Sequence, residues 1–256
     1  MSQAKKGFYA HPKYYDILFG WDRTQEIFFL DKLFQHYELQ VGAPLLEVAC
    51  GTGIVARQLS LLGWDLYGMD ISPEMLSYLN LSCQSQGGKV TTFHGDMTNF
   101  SMDSLVQGAF IPLGSLGLLG EDEKVKAHLQ CMARHMNDGG VYLLDMGFKK
   151  GETAPSPYDE IEWSMERDGL IVDAVEGKVN ILNSAGEVLE RLEWEAVPLV
   201  YNWQHFEDII DSSGVFEIIT SYPEASLTEE GVSVFDVNHH SNEPMKDRAM
   251  VALRKK

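Results

Sequence analysis

Apolar residues along this chain fall into short continuous runs and into stripes at helical spacing, and the two alternate through most of the sequence. A helix is predicted over 24–37, where Ile27, Phe28, Leu30, Leu33, Phe34 and Tyr37 recur at helix period. Residues 45–49 read as a short strand running into Cys50-Gly51-Thr52-Gly53, and 54–62 as a helix stopped by Gly63 at its C′ position. Residues 64–69 are a second strand, ended by Asp70. The next helix opens with Ser72 as N-cap and Pro73 at its first position, where a missing N–H costs nothing. A third strand covers 90–94 and ends in Gly95-Asp96-Met97; a weak fourth covers 108–112. Glu121, Asp122 and Glu123 favour the dipole of a helix over 121–137, with Val125, Leu129, Met132 and Met136 as its apolar stripe. Gly139-Gly140 is expected to stop that helix, and His128 and His135 to lie on its surface. The strongly apolar stretch 141–145 is expected to be a central strand. Such alternation predicts an α/β fold, a Rossmann-like, mostly parallel sheet with helices on both faces.

At Lys149 the grammar changes. Residues 149–158 are rich in Gly, Pro, Ser and Thr, as a linker is, and 161–201 read as short β segments. Turn signals fall at Asp168-Gly169, Glu176-Gly177 and Ser184-Ala185-Gly186, and Leu192, Trp194 and Ala196 alternate with Glu193 and Glu195. The pattern predicts a small antiparallel β insertion over 149–201 in an α/β domain made of 1–148 and 202–256. In the second part of that domain, a helix over 203–213 ended by Gly214, a strand over 216–221 and a last strand over 249–254 are expected.

Composition narrows the class of protein. With 256 residues, 45% of them hydrophobic, the chain can bury a proper core. No apolar run approaches the roughly 20 residues of a membrane span, and the first residues lack a secretory h-region. Three widely spaced cysteines, Cys50, Cys83 and Cys131, give neither a disulfide framework nor a zinc site. The expectation is a cytoplasmic protein with no membrane partner and no metal. The net charge of −18 disfavours nucleic acid, whose binders neutralise phosphate with Lys and Arg. Nothing sets the oligomeric state.

The candidate chemistry lies in 45–70. A strand feeding a Gly-x-Gly turn lets backbone approach a ligand closely, and a carboxylate ending the next strand can accept from both ribose hydroxyls. A nucleoside ligand therefore crosses the carboxyl ends of the first two strands. Gly51-x-Gly53-x-x-Ala56 also fits a dinucleotide fingerprint. Three features favour S-adenosylmethionine instead. Glu47 lies on the first strand, where it faces the cationic end of such a ligand and would repel a pyrophosphate. Asp96 can accept from an adenine amino group. The opening is acidic, which suits a sulfonium.

Glu47-Val-Ala-Cys-Gly-Thr-Gly53, Gly68-Met-Asp-Ile-Ser-Pro-Glu-Met-Leu76, Gly95-Asp-Met97, Pro112-Leu-Gly-Ser-Leu-Gly117 and Asp138-Gly-Gly-Val-Tyr-Leu-Leu-Asp145 together resemble the successive motifs of class I S-adenosylmethionine-dependent methyltransferases. Tyr14-Tyr15-Asp16 resembles the entry segment of the small-molecule members, and the inserted β segment is similar to that of sugar-amine and glycine-type N-methyltransferases, which implies that 149–201 is a cap over the substrate site. The resemblance implies S-adenosylmethionine as cofactor and S-adenosylhomocysteine as product. It implies Glu47, Gly51 and Gly53 at the methionine moiety, Asp70 at the ribose, and Asp96 and Met97 at the adenine, with Ala49, Ile71 and Met75 among the cofactor-binding residues. Backbone of Ile111 and Pro112 would lie beside the sulfonium. Many members carry Asn at the position of Gly114, so a substrate contact expected there is absent or moved.

Each residue also has a plain structural reading. Glu47 can be a satisfied buried carboxylate, Asp70 a helix cap, Asp96 a strand-end turn, Met75 and Met97 core packing, and Cys50 inert. His94 reads as packed in its strand. Tyr14 and Tyr15 are candidates to line the substrate pocket or to pack the first helix. His239 and His240, in the long stretch before the last strand, are substrate-proximal candidates that equally read as a solvated pair. No general base is evident, which favours N- over O-methylation of a small-molecule acceptor, since an amine need only arrive deprotonated. An NAD-dependent oxidoreductase and a non-catalytic S-adenosylmethionine-binding module are the rival readings.

Overall fold

Side-chain alternation along buried strands sorts the core onto two faces. On one strand Leu46 and Val48 point to one cluster while Leu45 points to the other; on another strand Tyr142 and Leu144 oppose Val141 and Leu143. Strands covered on both faces need apolar residues at successive positions, which is why they read as continuous runs. A computed structural model describes residues 7–149, 163–175, 177–194, 199–224, 226–227, 233–241, 245 and 248–256.

After a short 3-10 turn at Phe8–Ala10 come α1 (Pro12–Leu18) and α2 (Thr24–His36). There follow β1 (Pro44–Val48), α3 (Ile54–Leu61), β2 (Asp65–Asp70), α4 (Pro73–Gln86), β3 (Val90–His94), β4 (Val106–Ile111), α5 (Asp122–His135) and β5 (Met136–Gly147). Strands β6 (Trp163–Arg167), β7 (Leu170–Val175), β8 (Lys178–Asn183) and β9 (Val188–Glu193) precede α6 (Trp203–Ser213) and β10 (Phe216–Pro223). Two short strands, β11 (Ser226–Leu227) and β12 (Ser233–Val234), pair with each other before β13 (Arg248–Lys255).

The main sheet has seven strands in the order β10-β13-β5-β4-β1-β2-β3. Strands β1 to β5 are mutually parallel, and β13 runs antiparallel to both of its neighbours. Helices α2, α3 and α4 contribute to the core on one face, and α5 and α6 on the other. Helix starts follow the sequence: Ser72 Oγ accepts from Met75 N at 3.2 Å, Asn202 caps α6 through Gln204 N, and Gly214 ends α6 in the left-handed region.

Two expectations are corrected. Helix α5 ends at His135, and Gly139-Gly140 lie inside β5 rather than beyond a helix, in a strand that starts at Met136. His128 and His135 are buried, not on the helix surface. Strand β5, flanked by β13 and β4, is an interior strand as its apolar run predicts, and the weak strand β4 is the middle one of the seven. A Cβ on Gly108 would meet Leu45, Leu39 and Phe34 at 2.7–2.9 Å. Its neighbours therefore demand a residue that weakens the strand signature.

The four strands β6–β9 form a separate antiparallel meander between β5 and α6 in the chain. Val172, Ala174, Val179, Ile181 and Leu192 make its apolar face, which packs on Phe8, Ile17, Leu18 and Phe19 of the N-terminal segment. Trp194 follows β9 rather than lying in it. Glu176, Glu195, Ala196 and the linker expected at 149–158, beyond Lys149, lie outside the described residues.

Candidate active site

The turn from β1 into α3 is built on left-handed backbone: Ala49, Gly51 and Gly53 have φ of 52°, 53° and 69°. At Gly53 a Cβ would fall 2.3 Å from Leu79 Cδ1, so glycine is required for space as well as conformation. At Gly51 it would meet Tyr15 Cε1 at 3.2 Å, which places the Tyr15 ring over the turn. Cys50 N donates to Met69 O, and Asp70 accepts from Gly51 N at 2.7 Å and from Ser72 N at 2.8 Å. One carboxylate therefore joins the turn, the end of β2 and the start of α4. Burial pushes the Asp70 carboxyl up, and these N–H groups pull against it. Thr52 Oγ1, in the same turn, is a buried hydroxyl without a hydrogen-bond partner.

Glu47 is 2% exposed, and its Oε2 accepts from Ala56 N at 2.8 Å. Burial pushes its carboxyl up to about 8, against the Ala56 N–H and the charge of Arg23. Arg23 is itself buried and forks onto Glu26, Nε to Oε2 at 2.7 Å and Nη2 to Oε1 at 2.6 Å. Its charge also bears on Tyr15 and Asp145. Burial, with Tyr9 beside it, holds the Tyr15 phenol protonated.

At the ends of β2 and β3, Ile71 is 67% exposed and Asp96 is exposed, its Oδ1 accepting from Thr98 N and Thr98 Oγ1 at 2.8 and 2.7 Å. These two bonds hold the Asp96 carboxyl below the usual range. Met97 is half-buried and Met75 buried. Past β4, Ile111 and Pro112 are buried and lead into Leu113 and Gly114, both left-handed. Asn tolerates that region better than most residues, so its exchange with glycine at position 114 has a backbone reason.

Glu47, Ala49, Gly51, Gly53, Asp70, Ile71, Asp96, Met97, Ile111 and Pro112 thus gather at the carboxyl ends of β1 to β4. Tyr15 joins them. Tyr14 turns instead to the meander, its hydroxyl 3.4 Å from Glu190 Oε2. His239 and His240 are exposed, and the contact found for His240 is with Tyr222 on the edge strand β10. His94, expected to pack within its strand, is exposed, its Nε2 3.0 Å from Ile71 O. Among the described residues, no group of three His, Cys, Asp or Glu is placed to hold a metal ion, and no helix is long and apolar enough to cross a membrane.

A model described as a methyltransferase domain matches residues 45–140, the stretch from β1 into β5 that carries this geometry. Residues 45–140 are a methyltransferase domain. The chain is 29% identical, over 104 residues, to the dTDP-3-amino-3,6-dideoxy-alpha-D-glucopyranose N,N-dimethyltransferase of Streptomyces fradiae, covering 41% of this chain and 39% of that one. The chain matches less than half the length of the curated relatives. Solved structures extend the likeness to the whole fold. An S-adenosylmethionine-dependent methyltransferase from Clostridium acetobutylicum ATCC 824 superposes with a TM-score of 0.70 at 19% identity, covering 94% of this chain and 96% of that one. A SAM-bound amino pentose methyltransferase from Micromonospora echinaspora gives 0.64 at 16% identity, with both chains covered in full. The fold is that of class I S-adenosylmethionine-dependent methyltransferases.

Sequence reasoning missed one buried and one half-buried ion pair around this site. Arg23–Glu26 sits at an i, i+3 spacing that also describes any solvated helix pair. Asp145, 1% exposed, takes Arg248 Nε and Nη2 at 2.8 and 2.6 Å and Leu113 N at 2.8 Å. Burial pushes its carboxyl up, but Arg248 and the Leu113 N–H outweigh that and hold it low. Arg248 lies a hundred residues away in the chain, and no local signal joins it to Asp145.

Proposed function

We propose that the chain transfers a methyl group from S-adenosylmethionine to an amine on a small-molecule acceptor. The observation that carries this reading is the joint at Asp70, where one buried carboxylate closes the glycine turn and keeps accepting capacity for two ribose hydroxyls. The residues present fit the cofactor: the left-handed turn at Gly51 and Gly53 carries no Cβ between backbone and ligand, and Thr52 offers an unpaired buried hydroxyl. Asp70 would hold the ribose, Asp96 the adenine amino group, Glu47 and Arg23 the amino-acid end. Bound there, S-adenosylmethionine supplies a methyl group on a sulfonium, and the nucleophile's lone pair forms the new bond as the carbon–sulfur bond breaks.

The chain's own part is alignment and exclusion of water, which proximity alone can make large. Tyr15, held protonated over Gly51, covers the turn as a neutral wall. The meander β6–β9, packed on α1, acts as the cap over the acceptor, so 149–201 is an inserted unit and 1–148 with 202–256 the cofactor domain. His239 and His240 lie exposed at the sheet edge and take no part as base. An amine that arrives deprotonated needs none, and two of the relatives are named as N,N-dimethyltransferases of amino sugars, a third as an N-terminal methyltransferase. An amino sugar is therefore the acceptor class to screen first. Glu47 can release its proton to meet an ammonium as an anion, which a pyrophosphate would oppose, and this disfavours the NAD reading. The acidic surface disfavours nucleic acid, and three free cysteines suit a reducing cytoplasm.

Thermal unfolding with S-adenosylmethionine, S-adenosylhomocysteine and NADH in separate samples tests the cofactor. Ligand at a hundred times its dissociation constant raises the midpoint by roughly 5–10 °C. The two methionine-derived ligands are expected to do so and NADH not, and Asp70→Ala to lose most of the shift. A shift with NADH alone overturns the reading. Binding without S-adenosylhomocysteine release on any amino sugar would point to the non-catalytic module.

A further inference from the structure

Helix α5 presents His128, Cys131 and His135 along one stripe to the segment that follows β3. The Phe100 amide lies 3.4 Å from Cys131 Sγ, and the Phe100 ring stacks on His135 at 4.6 Å. His128, fully buried, reaches furthest towards the site: its Nδ1 lies 2.9 Å from the carbonyl oxygen of Met97, and its Nε2 2.8 Å from the Tyr142 hydroxyl. A carbonyl only accepts, so Nδ1 carries the proton, and Nε2 accepts from Tyr142. Tyr142 lies on β5, in the rigid sheet, and is itself fully buried.

The loop so anchored is otherwise held mainly by itself. Asp96 accepts from Thr98 N and Oγ1, and Asn99 N returns to Asp96 O. Gly95 N ties its first residue to Asp70 O. Between that tie and Phe100, the Met97 carbonyl is the point at which His128 joins the loop to the sheet.

We propose that His128 is a positioning residue for cofactor recognition, fixing through the Met97 carbonyl the place of the Asp96 carboxylate that accepts from the adenine amino group. The inference rests on the reading of Asp96 given above. The chain Tyr142–His128–Met97 sets where Asp96 stands, and adenine selectivity follows from it.

The test compares S-adenosylhomocysteine with S-inosylhomocysteine, which carries an oxygen in place of the amino group. Binding of both is measured by calorimetry to the wild-type chain, His128→Leu, His128→Asn and Tyr142→Phe. Wild type is expected to prefer the adenine form. His128→Leu should weaken that form about tenfold, the scale of one hydrogen bond, and leave the inosine form unchanged. His128→Asn keeps a donor where Nδ1 stood and should recover most of the preference. Tyr142→Phe, which leaves the core volume in place, should show a smaller loss in the same direction and serves if His128→Leu fails to fold. Equal weakening of both ligands in His128→Leu or Tyr142→Phe overturns the proposal and makes His128 a packing residue. A wild type that binds both ligands equally overturns the Asp96 reading and the proposal with it. Absence of binding to either overturns the methyltransferase reading itself.

Discussion

Glu47 carries a proton in the ligand-free protein at neutral pH, because burial lifts its carboxyl from an ordinary 4.5 to about 8. The native state then binds more protons than the unfolded chain between those two values, so this group makes stability fall as pH rises through that window. An incoming ammonium favours the anion, and binding below pH 8 must expel the proton. Titration of S-adenosylmethionine at pH 7 in buffers of different ionisation enthalpy is expected to show release of about one proton per site, fading above pH 8 to 9. Glu47→Gln should bind without that release and on the order of tenfold more weakly, and should lose the fall in stability. The same release in the variant would assign the proton to another group. Glu47 itself was readable in the sequence, since a carboxylate in an apolar strand before a glycine turn stands out. Its Ala56 contact and its altered titration were not, because both depend on how α3 folds back over β1.

Helix α5 shows where an element's pattern stops being informative. Val125, Leu129 and Met132 mark the face that meets the sheet, and charged residues around His128 and His135 read as solvent-facing. The helix is in fact covered on a second stripe by the loop at 97–100, which no local period announces. Strand β4 fails for the opposite reason: the crowding of Gly108 by Leu45, Leu39 and Phe34 removes the side chain that would have marked it as central. The helix burial has a measurable consequence. Burial lowers His128 to about 4 from 6.5, so between those values the unfolded chain binds a proton that the native state refuses. Stability therefore rises with pH over that window, by on the order of 3 kcal/mol from this group. Urea unfolding at pH 4.5 and pH 6.5 is expected to show a smaller difference in His128→Asn than in wild type. An unchanged difference would mean that the carboxylates alone set the acid limb.

At the scale of the whole molecule, the meander β6–β9 and the α/β body meet through the N-terminal segment. The turn signals located the inserted strands, but their docking depends on partners far apart in sequence. Trp163 Nε1 donates to Leu18 O at 3.1 Å, and Trp194 Nε1 to the Tyr9 hydroxyl at 3.0 Å. Asp16 takes Arg167 from the meander and the Tyr78 hydroxyl from α4, the latter at 3.1 Å, so one carboxylate touches all three bodies. The chain can pass this junction only at Gly20, where a Cβ would lie 2.1 Å from Asp16 O and 3.0 Å from Arg167 Nη1. A cavity of about 570 Å³ opens beside it, lined among others by Trp21, Arg23, Ile54 and Arg167. Arg167 is 40% exposed, so its ion pair adds less than about 1 kcal/mol to global stability. Its effect belongs to local opening, because α1 carries Tyr15 to the glycine turn and the meander holds α1. Arg167→Met keeps the stem and removes the charge. Hydrogen exchange is expected to speed up together in α1 and in β6–β7, with β1, β4 and β5 unchanged and the melting midpoint moved by no more than about 3 °C. Faster exchange confined to β6–β7 would show that α1 stays closed on its aromatic contacts alone, and that the Asp16 junction does not couple the cap to the cofactor turn.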